Sequence, residues 1–313
     1  ADSAARKRRK KGGPAYYFVE RGARGFSLGN MKFRKIAILG AGLLGASFAF
    51  AAKSCGLCGR ISAWSRSEST REKCSRLPNI FDTVRSEPEE AAEDADLTVI
   101  CVPTENIPEL AAKIAPSLKE GSLVTDVGSV KGKICRLCSE SVGAFGARFV
   151  GSHPMAGSEK IGIDFADEKL FNSRPCFVTP LSESDECAAA AVSEAWRALG
   201  MRVYTVSPQL HDAIVARVSH LPHLAATLVC DVAADFDMNL LPYSGPGFRD
   251  TTRVASGSPQ IWESIVADNR DEILSALGDF SSRLGALIGA IKSGDKGGVS
   301  SALKKAKAFR DKL

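Results

Sequence analysis

The chain predicts an α/β fold: a doubly wound parallel sheet over its first two thirds, then an all-helical remainder. Three observations carry that expectation. Short apolar strands alternate with helical patterns from residue 35 to residue 206, the signature of a doubly wound sheet. The run Leu97-Thr98-Val99-Ile100-Cys101-Val102 is almost continuously apolar, as a strand covered on both faces must be. After Ser207 no convincing strand pattern appears, and helical periods rich in Ala, Leu and Ile take over.

The elements follow in order. Residues 35–39 form a first strand, and the glycine loop Gly40-Ala41-Gly42-Leu43-Leu44-Gly45 opens a helix that runs to about Lys53. Residues 60–64 read as a second strand and 97–102 as a strand ending at Pro103. A helix over 106–118 has Pro108 and Pro116 near its ends. Strand 122–127, helix 130–141, strand 148–152, strand 176–179, helix 183–199 and strand 202–206 complete the α/β part. The remainder is a long helix over 208–236, a second over 259–292 and a short one from about Val299. The expected division is a basic extension over 1–30, a dinucleotide-binding domain over 31–205 and a helical substrate and dimerisation domain over 206–313. The helical part is too thin to build a large core alone, so a homodimer is expected.

Charge argues against a polyanion partner. The net charge is +5, yet residues 1–30 hold eight basic and two acidic residues, and the rest holds 33 basic and 34 acidic. The folded body is therefore neutral, and no nucleic-acid partner is expected. The run from Arg6 to Lys11 reads as a solvated, disordered arm. It has no apolar core of the kind a secretory signal needs. No apolar run approaches the ~20 residues of a membrane span, so no membrane partner is expected. Nine scattered cysteines fit reduced thiols in the cytoplasm better than a disulfide framework. The pairs Cys55/Cys58 and Cys135/Cys138 have zinc-like spacing, but the second lies inside a helical pattern, and no metal is expected.

The glycine loop gains meaning from its context, a strand before and a helix after, which is the Rossmann-type dinucleotide site. Gly40 permits the tight turn, Gly42 the approach of a pyrophosphate, and Gly45 the packing of helix on strand. Leu43 and Leu44 begin the helix whose N–H groups face phosphate. Val102 and Pro103, after the buried strand, complete the expected cofactor contacts. The second strand ends Ala63-Trp64-Ser65-Arg66 with no carboxylate to accept from a ribose 2′-hydroxyl. Arg66 beside Ser65 suits a 2′-phosphate, so NADP is the expected cofactor, with NAD possible. His153, in Gly151-Ser152-His153-Pro154-Met155-Ala156-Gly157-Ser158-Glu159, is held by a strand end and a proline at the rim of this cleft. It is the candidate base for a hydroxyl proton in hydride transfer.

The segments GAGLLGAS, TDVGSVK, GSHPMAGSE, VSHLPH and GFRDTTR, in this order, resemble those of prephenate and arogenate dehydrogenases. The resemblance runs from about Ile36 past Trp262. It implies oxidative decarboxylation of a cyclohexadiene in tyrosine biosynthesis, with prephenate giving 4-hydroxyphenylpyruvate or arogenate giving tyrosine. It also implies that Ser129 hydrogen-bonds the ring hydroxyl beside His153, although Ser129 equally suits a helix N-cap. Arg253 matches the arginine that binds a substrate carboxylate, with Arg249 as its neighbour. His223 would reach the substrate side chain, with Ser219 and His220 on the same segment and Gly247 in the later motif. Glu159 and Trp262 would form an entrance with Arg253. His223 suits a pyruvyl group, which favours prephenate; the Ser65-Arg66 pair points towards arogenate users, and a dual-specificity cyclohexadienyl dehydrogenase is the alternative. A non-catalytic NADP-binding regulatory protein is the distant alternative, and it would lack His153, Ser129 or Arg253. No regulatory domain is expected after the helical part, so any tyrosine feedback would act at the active site.

Overall fold

The computed structural model describes residues 33–157, 160–181 and 186–312. The basic extension, Ser158 and Glu159 lie outside the described residues. The chain separates into two units. The first comprises the chain up to Val102, Ile107–Val127 and Cys135–Ser207; the second comprises Pro103–Asn106, Gly128–Ile134 and Pro208–Leu313.

In the first unit, β1 (Phe33–Leu39), α1 (Leu43–Ser54), β2 (Cys58–Trp64), α2 (Glu68–Ser75), β3 (Thr83–Arg85), α3 (Pro88–Ala92) and β4 (Leu97–Ile100) follow one another. Then come α4 (Ile107–Ile114), β5 (Leu123–Asp126), α5 (Gly132–Gly143), β6 (Arg148–Phe149), β7 (Gly151–Pro154), β8 (Pro175–Thr179), α6 (Glu186–Ala198) and β9 (Arg202–Thr205). Six strands form one parallel sheet in the order β3-β2-β1-β4-β5-β6. That order reverses between β1 and β4, where doubly wound folds bind ligands at the strand carboxyl ends. All four residues of β4 are buried, as its apolar run requires. Phe48, Trp196 and Phe171 meet edge-to-face in the core, with ring centroids 5.2 and 5.4 Å apart.

Two features of this unit differ from the expectation. The segment 148–152 is not one strand. Its first residues close the large sheet as β6, and after Val150 the chain enters a second sheet, β7-β8-β9. There β7 is antiparallel to β8, with His153 opposite Phe177. The short α2, β3 and α3, between the second strand and the buried run, also carry no apolar period strong enough to announce them.

The second unit contains α7 (Pro208–Val215), a π-helical turn (Ala216–His220) and α8 (Leu221–Phe236). It continues with α9 (Pro246–Thr252), α10 (Pro259–Asp268), α11 (Arg270–Lys292) and α12 (Lys296–Arg310). The expected helix over 259–292 is two helices, broken at Asn269 with φ −115° and ψ 31°. The segment 245–253, for which the sequence predicts no element, is largely helical. Pro246 sits at the start of α9, where its missing N–H costs nothing.

No strictly apolar run reaches ~20 residues, yet one helical stretch is apolar on average over a membrane-spanning length. The helical stretch Pro208–Phe236 has 29 residues and is long and apolar enough by composition to cross a bilayer. Arg217 and the histidines interrupt any strictly apolar run, while Ala, Val and Leu keep the average high. His211, Asp212, His220 and His223 on this stretch are all buried inside the unit.

Candidate active site

The nucleotide loop has the geometry its glycines predict. Gly40 lies at φ +103°, and a Cβ there would sit 2.5 Å from the Cys101 carbonyl oxygen. A Cβ on Gly45 would sit 2.1 Å from the Gly40 carbonyl oxygen. Both positions exclude a side chain. Gly42, the N-cap of α1, is different: a Cβ there meets no protein atom within 4 Å. Space is thus left in front of the α1 N-terminus, where N–H groups and the helix dipole favour a pyrophosphate. The residues present fit a dinucleotide.

Gly40 N–H donates to the Trp64 carbonyl at 2.8 Å, which sets the end of β2 beside the loop. Ser65 is half-buried and Arg66 exposed. Arg71, a residue the sequence reading passed over, donates from one guanidinium nitrogen to the carbonyls of Ser65 at 2.7 Å and Arg66 at 3.0 Å. Ser67 caps α2, accepting from Thr70 N–H, and its hydroxyl pairs with Ser69 at 2.8 Å. The segment after β2 is therefore a fixed turn of hydroxyl and guanidinium groups with no carboxylate until Glu68.

His153 is half-buried on β7. Its neighbour Ser152 is fully buried and faces the large sheet. Ser152 N–H donates to the Asp126 carboxylate at 3.0 Å, and its hydroxyl pairs with that of Thr125. Successive strand residues point to opposite faces, so anchoring Ser152 turns the His153 imidazole the other way. Asp126 ends β5. His153 therefore follows directly on a residue whose backbone is tied to Asp126 at the carboxyl end of β5.

The second unit holds the remaining candidates. Ser129 is not a helix N-cap, because α5 begins at Gly132. Its hydroxyl instead lies 3.4 Å from that of Thr104. The Asp212 carboxylate does the capping, accepting from Lys131 N–H and Gly132 N–H, each at 2.8 Å, and from His211 Nδ1 at 2.7 Å. His223 is 6 % exposed and stacks on Trp262, with centroids 3.5 Å apart and planes at 11°. His220 meets the same indole edge-on at 5.9 Å. Gly257 makes room for this group, since a Cβ there would sit 2.6 Å from Trp262 Nε1. Burial lowers the pKa of His223, and a hydrogen bond to the Val254 backbone opposes the shift. Burial also pushes His220 down, to about 4, with nearby His211 adding to the effect.

Arg253 lies exposed on a short 3₁₀ turn, Arg253–Ser256. Arg249 is occupied differently, its Nε donating to the Ser244 hydroxyl at 3.3 Å. Ser219 is half-buried on the π turn, and Gly247 is exposed in the first turn of α9. Among the described residues, no group of three or more His, Cys, Asp or Glu side chains is placed to hold a metal ion.

The parallel sheet with its order reversal and the glycine loop at the α1 N-terminus define a nicotinamide-dependent oxidoreductase. Comparison with known proteins agrees. Residues 48–205 match the prephenate dehydrogenase nucleotide-binding domain, and residues 207–305 match the prephenate dehydrogenase dimerization domain. The chain belongs to the prephenate dehydrogenase family. It is 33 % identical over 267 residues to the cyclohexadienyl dehydrogenase of Zymomonas mobilis, covering 84 % of this chain and 90 % of that protein. Among solved structures, prephenate dehydrogenase from Aquifex aeolicus, in complex with hydroxyphenyl propionate and NAD+, is similar with a TM-score of 0.82 and 30 % identity. That match covers 89 % of this chain and 98 % of the other. Synechocystis arogenate dehydrogenase is similar with a TM-score of 0.79 and 30 % identity, covering 89 % and 99 % of the two chains.

Proposed function

We propose that this enzyme oxidatively decarboxylates prephenate to 4-hydroxyphenylpyruvate, using NADP in preference to NAD, and works as a cytoplasmic homodimer. The observation that supports the reaction best is the anchoring of Ser152, the residue before His153 on β7, to Asp126 at the carboxyl end of β5 in the nucleotide-binding unit.

A bound nicotinamide supplies the acceptor for the hydride that leaves the carbinol carbon of the ring. His153 takes the hydroxyl proton as that oxygen becomes a carbonyl, which is general-base work for a neutral imidazole. The carbon–carbon bond to the ring carboxylate then breaks. Its electron pair enters the ring, CO2 leaves, and the former carbonyl oxygen becomes a phenol on regaining a proton. Aromatisation makes the sequence irreversible. Ser129 orients the ring hydroxyl. Arg253 pairs with a substrate carboxylate through its planar fork. His223, neutral and braced by Trp262, donates to or accepts from the side chain, with Ser219, His220 and Gly247 beside it.

Prephenate is favoured over arogenate because the polar side chains assembled around Trp262 are imidazoles, which suit a keto acid better than an ammonium. A dual-specificity enzyme is the second reading, supported by likeness to a cyclohexadienyl dehydrogenase and an arogenate dehydrogenase. Comparing kcat/KM for the two substrates, each with NADP and NAD, decides between them. A preference for arogenate would overturn the substrate assignment.

NADP is favoured by Ser65 and Arg66, whose carbonyls are fixed by one guanidinium nitrogen of Arg71. Ser65→Asp should weaken NADP use by repelling the 2′-phosphate and improve use of NAD. A wild-type enzyme that already prefers NAD about tenfold in kcat/KM, or ~1.4 kcal/mol, would contradict this reading.

The dimer proposal rests on the exposed apolar side chains of the helical unit. Leu228, Val229, Val232 and Phe236 are exposed on α8, as are Leu274, Phe280, Leu284, Ile288 and Ile291 on α11. Sedimentation at micromolar concentration should show a dimer. Replacing Val232 and Phe236, 73 % and 82 % exposed, with Asp should release monomers of low activity. A wild-type monomer with full activity would contradict the proposal.

A further inference from the structure

Asn269 stands where α10 ends and α11 begins. Asparagine at a helix start ordinarily folds its side chain onto its own helix. Here it makes no cap bond and is 4 % exposed. Its Nδ2 points instead to the Asp212 carbonyl at 3.0 Å and to His220 Nδ1 at 3.1 Å. A carbonyl oxygen can only accept, so the asparagine atom facing it is the amide nitrogen with its two hydrogens. That nitrogen has nothing to accept with, so His220 Nδ1 must be the acceptor.

We propose that Asn269 is a positioning residue that fixes His220 as the neutral Nε2–H tautomer, a hydrogen-bond donor for substrate oxygen and not a base. The tautomer follows from the hydrogen bonds alone; its use on substrate rests on the reaction proposed above. Protonating Nδ1 would set N–H against N–H in a side chain that is 1 % exposed. The ionisable groups around His220 are His211, Asp212 and His223. Asn269 also reaches further. Asp212 accepts from Asn269 at its backbone carbonyl and from Lys131 and Gly132 at its carboxylate. One asparagine thus links the π turn that carries Ser219 and His220 to the loop that carries Ser129. π turns recur at functional sites because the widened ladder re-aims side chains, and this one is braced at its last residue.

Only four histidines are present, so nitrogen-15 spectra of histidine-labelled full-length protein can resolve each ring, assigned by single replacements. In wild type, His220 should show an unprotonated Nδ1 and a protonated Nε2 from neutral pH down to about pH 5, where an ordinary imidazole of pKa about 6.5 is charged. In Asn269→Asp the new carboxylate accepts, so His220 Nδ1 should carry a proton and the ring should be charged at about pH 5. Asn269→Ala, which removes the donor without adding charge, should leave His220 a mixture of tautomers. With either variant, kcat/KM for the substrate should fall about tenfold or more, while the KM for the cofactor stays within about twofold. A protonated Nδ1 in wild type, or an unchanged His220 in both variants, would overturn the tautomer assignment. A changed tautomer with unchanged kcat/KM would overturn the positioning role. If wild type shows the expected nitrogens but turns over neither prephenate nor arogenate, the proposed reaction fails and the tautomer assignment stands.

Discussion

Replacing His153 with Asn should lower kcat by about 10²–10⁴-fold, the usual worth of a positioned general base, and leave cofactor affinity nearly unchanged. Asparagine keeps a hydrogen-bonding group near the ring hydroxyl but cannot take its proton. β7 should survive the change, because Ser152, Thr125 and Asp126 still hold it to the large sheet. Cofactor binding should survive because the loop at Gly40, Gly42 and Gly45 is built from other residues. The measurement is steady-state turnover alongside fluorescence titration with the reduced cofactor. A variant within about threefold of wild type, less than ~1 kcal/mol in barrier, would remove His153 from the role of base. His220 is a poor substitute, since its Nδ1 is engaged by Asn269.

Arg253→Ala should raise the substrate KM by about 10–150-fold, corresponding to the ~1.5–3 kcal/mol of a hydrogen bond to a charged group. Truncation leaves a substrate carboxylate without its bidentate partner, and the loss falls on binding more than on the chemical step. Arg253→Lys should recover only part of it, because an ammonium offers charge without the planar fork. The side chain is exposed on a short turn, so folding should be unaffected, and thermal unfolding of the variant checks this. An unchanged KM with lost turnover would place Arg253 in the chemistry itself and pass the carboxylate to Arg249.

The nucleotide half was readable in the sequence because its signals are local. The apolar run before Gly40, the glycine spacing and the buried run of β4 each have one structural reading. The helical half was readable as helix for a similar reason, its apolar period being long and uninterrupted by strand-forming residues. Features that depend on tertiary partners were not readable. The switch of sheets after Val150 lies inside a run that reads as one strand. The π turn lies inside an apolar helical pattern whose one mark, Pro222, suits a helix start as well as a kink, and Asn269 marks a helix start only once the apolar period on either side is seen to break. Asp212 sits beside His211 in sequence, but its capping of α5 joins residues 80 and 81 positions apart. Arg71 looks like an ordinary helix-surface arginine until the carbonyls of Ser65 and Arg66 are seen in its reach. Ser129 was the ambiguous case, with cap and substrate ligand both fitting its position, and the start of α5 at Gly132 removes the cap.

In the proposed function, hydride transfer and decarboxylation of a cyclohexadiene occur in one enzyme. Product stoichiometry tests it most directly. Incubation with prephenate and NADP should yield reduced cofactor, CO2 and 4-hydroxyphenylpyruvate in equal amounts. Reduced cofactor without CO2, or cofactor binding with no reduction on either prephenate or arogenate, would contradict it.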